Sequence, residues 1–142
     1  ASTGRHEGVL DAMHEAALKV SPELIAEGDY SLRSGLEAAN KLIGSNPKPT
    51  AIFAANDDMA VGAMTAGMAA GFKVPGDISI AGYDDSRIAS AVWPPLTTIR
   101  QPVAEMGRRA AERLMNTDDE AGVEEVFDFE LIVRQSTGNI PT

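Results

Sequence analysis

Residues Pro49 to Pro102 read PTAIFAANDDMAVGAMTAGMAAGFKVPGDISIAGYDDSRIASAVWPPLTTIRQP. Two short apolar segments, Ala51–Ala55 and Ile78–Gly82, each run into a polar cluster. Asn56-Asp57-Asp58 follows the first and Tyr83-Asp84-Asp85 the second. Met59–Gly71, between them, is made of small residues and reads as a helix suited to close packing on a sheet. In a parallel sheet, the residues just past the strand C-termini line the ligand crevice. Two Asp pairs, an Asn and a Tyr are therefore expected at a cleft that faces something polar.

Working outward, Val9, Met13, Ala16 and Val20 recur at helical spacing, so residues 5–20 read as a helix that Pro22 ends. Glu23–Ala26 is a short strand candidate. Gly28-Asp29-Tyr30-Ser31 is a turn, with Ser31 placed to cap the next helix. That helix carries the stripe Leu32, Leu36, Ala39, Ile43 and closes at Gly44. Ala51–Ala55 is apolar throughout, as in a strand covered on both faces. Pro94-Pro95 interrupts regular structure, and Thr97–Arg100 is extended. Pro102 opens a helix with the stripe Val103, Met106, Ala110, Leu114. Asn116–Glu124 is an acidic loop, Phe127–Val133 a strand candidate and Ser136–Thr142 a tail. Strands alternating with helices give an α/β fold: a parallel sheet flanked by helices.

The bulk numbers exclude several classes. With 142 residues and 44% apolar side chains, the chain can bury a core. A formal charge of −9 gives it no basic footprint for nucleic acid. It holds no cysteine, which removes disulfides, thiolate metal sites and cysteine nucleophiles and leaves the redox compartment open. The longest uncharged run, Met59–Phe72, falls short of the roughly 20 apolar residues of a membrane span. No leader is visible. Because the chain opens with Ala1 directly into a helix pattern, it reads as a piece or processed product of something longer.

Each polar residue at the cleft has a structural alternative. Asp57 or Asp58 at a strand–helix junction can cap the helix. Asn56 both donates and accepts, which suits a sugar hydroxyl or a base edge, or a turn. Asp84 or Asp85 can cap a helix starting near Ser86, leaving the other to accept hydrogen bonds from paired hydroxyls. Tyr83 lines the cleft or packs in the core. Arg5, in the first turn of a helix, opposes the helix dipole and is poorly placed for helix stability alone; it forms a fork toward a carboxylate, phosphate or hydroxyl pair, or is a plain surface residue. Tyr30 offers a ring for stacking or is an exposed turn residue. His6 and His14 lack a ligand pattern. Trp93 is a packing anchor or a cleft wall. The four aspartates could hold Mg²⁺, but no lysine follows a strand to handle a phosphoryl group.

In this order and spacing, the pieces Ala51–Asp57, Met59-Ala60, Gly62, Gly71, Val74-Pro75, Asp77-Ile78-Ser79, Gly82–Asp85 and Pro95–Ile99 resemble the lactose/galactose-repressor (LacI/GalR) family of bacterial transcription regulators. Leu131–Thr137 is similar to that family's closing strand, and Arg5 with Gly8 to its R-x-x-G helix opening. The resemblance implies a periplasmic-binding-protein-like fold of type I with two subdomains and a small effector between them, commonly a sugar or nucleobase. It implies Arg5, Tyr30, Asn56 and Asp84 as effector contacts, with Asp57 and Asp85 at the strand–helix junctions. It also implies a cytoplasmic protein with no cofactor, no metal and no catalysis, reaching operator DNA only through a helix-turn-helix outside this chain, and with no membrane partner. Residues 1–98 would then form most of the C-terminal subdomain, lacking the strand that leads into Arg5. Residues 99–125 would cross back to the N-terminal subdomain, and 126–142 would form the closing strand and tail. The stripe from Val103 to Leu114 would lack its home sheet, so self-association, a homodimer included, is expected. The alternatives are a periplasmic sugar-binding protein of a transport system and a Mg²⁺-dependent enzyme using the paired aspartates.

Overall fold

The computed structural model describes residues 2–116 and 124–139. In chain order these form α1 (Ser2–Glu15), a 3-10 turn (Pro22–Leu24), α2 (Leu32–Ile43), β1 (Ala51–Phe53), α3 (Asp57–Ala69), β2 (Ser79–Ala81), α4 (Arg87–Ala91), β3 (Thr98–Arg100), α5 (Val103–Met115) and β4 (Glu130–Ile132).

β1 and β2 pair in parallel, with Ile52 opposite Ile80. The far edge of β2 is closed by two separate pieces of chain. Ala81 bridges Thr97, and the Ile80 amide donates to the Ser136 carbonyl at 2.8 Å. β3 then pairs antiparallel with β4, Ile99 opposite Leu131. The expected α/β fold with a parallel sheet holds: among the described residues the β1–β2 pair is extended by a parallel bridge to Thr97, while the closing strand runs against its neighbour.

Ile78, Ile80 and Leu96 are fully buried, each worth about 1.5–3 kcal/mol relative to exposure. Over them lie Ala39 and Ile43 of α2 and Ala60, Ala63 and Met64 of α3. The two helices cross almost backbone to backbone. A Cβ on Gly62 would stand 2.1 Å from the Leu32 carbonyl oxygen, and one on Gly35 2.3 Å from that of Met59. The small residues of Met59–Gly71 therefore serve a helix–helix crossing as well as the sheet. Ser31 caps α2 as its sequence predicts, its hydroxyl accepting the Ser34 amide at 3.1 Å.

Several expectations need correction. The first helix stops at Glu15 rather than near residue 20, because Ala17 turns to φ 55 and the Leu18 amide folds back to the Met13 carbonyl. Its apolar face is only half-buried, Val9 and Met13 being partly exposed and Val9 lining an open cavity. Glu23–Ala26 forms no strand. Pro22 starts a 3-10 turn, and no neighbouring strand pairs with the residues after it. β1 is not covered on both faces: Ile52 is buried, but Phe53 is 41% exposed and lines an open cavity. Trp93 is 80% exposed and anchors nothing. The last strand is shorter than Phe127–Val133, and its flank Phe129 is exposed. In the predicted acidic loop Asn116–Glu124, residues 117–123 lie outside the described residues, as do 140–142 of the predicted tail. Ser136, by contrast, is fully buried, its hydroxyl donating to the Ile80 carbonyl and accepting the Thr97 amide.

Candidate functional site

Asp84 lies just past the C-terminal end of β2, and its amide donates to the Ile99 carbonyl at 2.8 Å. Its carboxylate oxygen Oδ1 accepts from Gln101 Nε2 at 2.8 Å and lies 3.7 Å from Arg5 Nη2. Arg5 comes from the first turn of α1 and bends away from its own helix. Its Nη1 donates to the Ala55 carbonyl at 2.6 Å, and the guanidinium carbon sits 3.9 Å over the Tyr83 ring. Tyr83 is thus a half-buried wall beneath a cation and not a core residue.

From Ala55 the arrangement continues into Asn56 and Tyr30. Asn56 caps α3, its Oδ1 accepting the Met59 amide at 2.9 Å, while its Nδ2 donates to the Tyr30 carbonyl at 2.9 Å. Tyr30 has φ 68 and an exposed ring. The turn before it is braced by Asp29, which takes the hydroxyl of Ser31 at 2.5 Å and its amide at 3.0 Å. The Ser31 hydroxyl, with help from Ser34, holds the Asp29 carboxyl down at about 2. The four residues expected at the effector therefore form one chain of contacts, Asp84–Arg5–Ala55–Asn56–Tyr30. Asn56 has both ends of its amide occupied by protein, while Asp84 keeps a partly exposed carboxylate.

Asp57 and Asp58 part company: the first is buried and the second exposed. Asn56, not Asp57, caps α3. Asp57 instead accepts the Ser86 amide at 2.6 Å and the Thr98 hydroxyl at 2.6 Å. Burial pushes its carboxyl up, against the pull of those hydrogen bonds. Asp85, at φ 49, makes no cap to α4; Ser86 is the residue at that N-cap, without a side-chain bond. Asp85 pairs with Arg100 at 2.7 Å and Arg134 at 2.6 Å. Burial works to raise its carboxyl, but hydrogen bonds and charge from Arg134 and Arg100 outweigh that and hold it low. Among the described residues no three His, Asp or Glu side chains gather as a metal would need. His6 and His14 stay on α1, apart from any such group.

Sequence pattern alone does not mark Gln101, Thr98 or Arg134 as site residues. Gln101 was recoverable by the same rule that selected Asp84, since it follows the end of β3. A cavity of about 570 Å³ opens along the unpaired edge of β1, lined by Val9, Leu24, Ile25, Leu42, Ile52 and Phe53, with Arg5 and Tyr30 among its lining residues.

An α/β unit with a parallel strand pair and polar residues gathered beyond its strand ends defines a ligand crevice. The chain belongs to the periplasmic binding protein-like domain family, whose profile matches residues 1–137. It is 41% identical over 136 residues to the HTH-type transcriptional repressor PurR of Pasteurella multocida, covering 93% of this chain and 40% of that protein. It is 43% identical over 141 residues to the HTH-type transcriptional regulator DegA of Bacillus subtilis, covering 97% of this chain and 42% of that protein. Among solved structures it is similar to a complex of the transcriptional regulator CelR with cellobiose. That match has a TM-score of 0.89 and 34% identity, over 93% of this chain and 41% of that one. A LacI-family regulator from Lactobacillus casei with bound sucrose matches with a TM-score of 0.81 and 31% identity, over 95% of this chain and 51% of that one. The chain thus spans about two-fifths of the curated relatives it matches. No described helix is long and apolar enough to cross a membrane.

Proposed function

We propose that this chain is the C-terminal part of the effector-binding domain of a LacI-type transcriptional regulator, and that its effector is a sugar. The observation that carries the reading is the Asp84 carboxylate, partly exposed and set between a guanidinium and a carboxamide donor. A carboxylate accepts from two neighbouring hydroxyls, Arg5 and Gln101 donate to oxygen, and the Tyr83 ring supplies an apolar wall. That set suits a polyol better than a nucleobase. The relatives solved with cellobiose and sucrose support the same class.

Function then follows from population shift. Effector bound at Asp84 favours one closure of the cleft over another, and the difference in affinity biases DNA binding elsewhere in the regulator. The chain catalyses nothing, works in the cytoplasm and meets operator DNA only through a helix-turn-helix outside residues 1–142. Residues 1–98 form the C-terminal subdomain, 99–125 the crossover and its helix, and 126–142 the closing strand and tail. The open edge of β1 and its apolar cavity support this division, because they leave room for one more strand leading into Arg5. α5 buries no residue, as expected of a helix whose partner sheet lies elsewhere or in a second copy. A transport receptor of the same fold is disfavoured by the regulators among its relatives.

Calorimetric titration of the whole regulator with cellobiose, sucrose and their monosaccharides tests the reading. Saturable binding of one of them, lost in Asp84→Asn, is expected. Binding that survives in Asp84→Asn contradicts it.

A further inference from the structure

Asp57 is the one buried carboxylate among the described residues, 1% exposed, and its two hydrogen-bond donors come from different parts of the chain. One is the Thr98 hydroxyl at the start of β3 and the other the Ser86 amide, directly after Asp84-Asp85. The same loop is tied to β3 twice more. The Asp84 amide donates to the Ile99 carbonyl at 2.8 Å, and the Asp85 amide to the Thr98 hydroxyl at 3.3 Å. Thr98 Oγ1 is thus used both ways, donating to Asp57 and accepting from Asp85.

The loop needs such a hold. Asp84 and Asp85 have φ 105 and φ 49, a course that non-glycine residues keep only when their surroundings impose it. The pocket for the Asp57 carboxylate is made by a missing side chain: a Cβ on Gly82 would stand 2.4 Å from Asp57 Oδ1. Position 82 is where β2 ends and the loop begins, so the carboxylate occupies the space between strand end, loop and β3.

We propose that Asp57 is a positioning residue, a buried clamp that fixes the Asp84 loop to β3 so that the Asp84 site and the chain leading through Gln101 into α5 move as one body. This rests on the reading of Asp84 as an effector contact, and it gives that contact a route to the crossover. Asp57 touches no effector. It acts through Ser86 and Thr98.

Amide hydrogen exchange on the whole regulator, read without any sugar, tests the clamp. Thr98→Val keeps the shape and removes the hydroxyl. Exchange at Asp85 and Ser86 is expected to rise about tenfold or more, the loss of one buried hydrogen bond, while Ile80 in β2 exchanges as before. Thr98→Ser restores the protection. Asp57→Asn and Gly82→Ala loosen the same amides, and Asp57→Asn with Thr98→Val together adds little to either alone. Unchanged exchange at Asp85 and Ser86 in Thr98→Val overturns the proposal. So does an equal rise at Ile80, which would make the contact a general support of the fold. The two readings fail separately. A regulator whose sugar binding ignores Asp84 overturns the effector assignment with the exchange pattern intact, whereas wild-type exchange in Thr98→Val overturns the clamp alone.

Discussion

The Arg5 guanidinium lies 3.9 Å over the Tyr83 ring, so a side chain from the first turn of α1 is held against the loop that follows β2. A cation at that end of a helix is unfavourable for the helix dipole, and Arg5 makes up for it with a carbonyl and a carboxylate outside the helix. The planar fork serves three partners at once, which a lysine ammonium does not. Arg5→Lys is expected to weaken sugar binding by about tenfold or more, equivalent to about 1.4 kcal/mol, with little change in the unfolding midpoint. Titration of both forms of the whole regulator with the same sugar checks this.

The crossing of α2 and α3 depends on bare backbone at Gly62 and Gly35. Gly62→Ala sets a methyl into the Leu32 carbonyl and the Leu36 amide, neither of which can swing aside as a side chain would. The expected loss is about 3 kcal/mol in urea unfolding, the upper part of the usual range for overpacking. Gly107, with open space around it, is the control: Gly107→Ala is expected to leave stability level or slightly raised.

Acid titration should show two carboxylates pulling in opposite directions. The folded state lowers Asp85 below its ordinary value of 3.8, so its contribution is present above that pH and is lost as pH falls through the lower folded value. Asp57 is raised, so the folded state binds its proton more tightly than the unfolded chain and gains stability as pH falls through the raised value. Asp85→Asn is therefore expected to flatten the loss of melting temperature below pH 3.8, and Asp57→Asn to remove a gain that sets in above pH 3.8 as the pH falls. Melting curves from neutral pH downward read both slopes.

The exposed apolar stripe of α5 should draw copies of this chain together. Val103 is 62% and Leu114 88% exposed, and Phe129 and Leu131 near β4 are exposed as well. A patch of this kind on a soluble domain marks an interface. Sedimentation of residues 1–142 is expected to show concentration-dependent association that Val103→Glu with Leu114→Glu abolishes. A well-folded monomer at every concentration contradicts this.

The strand–helix–strand centre is legible because its periodicity and punctuation agree: an apolar run, a polar cluster, a helix of small residues and Gly71 at its end, which takes φ 87. The site was legible to the extent that it obeys one rule, polar residues beyond strand ends, which found Asn56 and Asp84. The rule does not say which of two adjacent aspartates turns inward. That is decided by Thr98 and Ser86, which arrive from 41 and 29 residues away in the chain to meet Asp57. Glu23–Ala26 misled because its composition suits a strand, and composition carries no information on whether a partner edge lies alongside. The apolar run Ala51–Ala55 misleads in the same way: hydrophobic side chains show what a segment could bury, and the open cavity beside Phe53 shows what these residues leave uncovered.

The central claim, that Asp84 reads the effector and the rest of the regulator responds, is tested most directly by operator release. Operator binding by the whole regulator would be followed while cellobiose, sucrose and their monosaccharides are added, in wild type and in Asp84→Asn. The predicted result is unchanged operator affinity without sugar in both, with a sugar response present in the wild type and absent in the variant. A sugar response of equal size and midpoint in Asp84→Asn would contradict it.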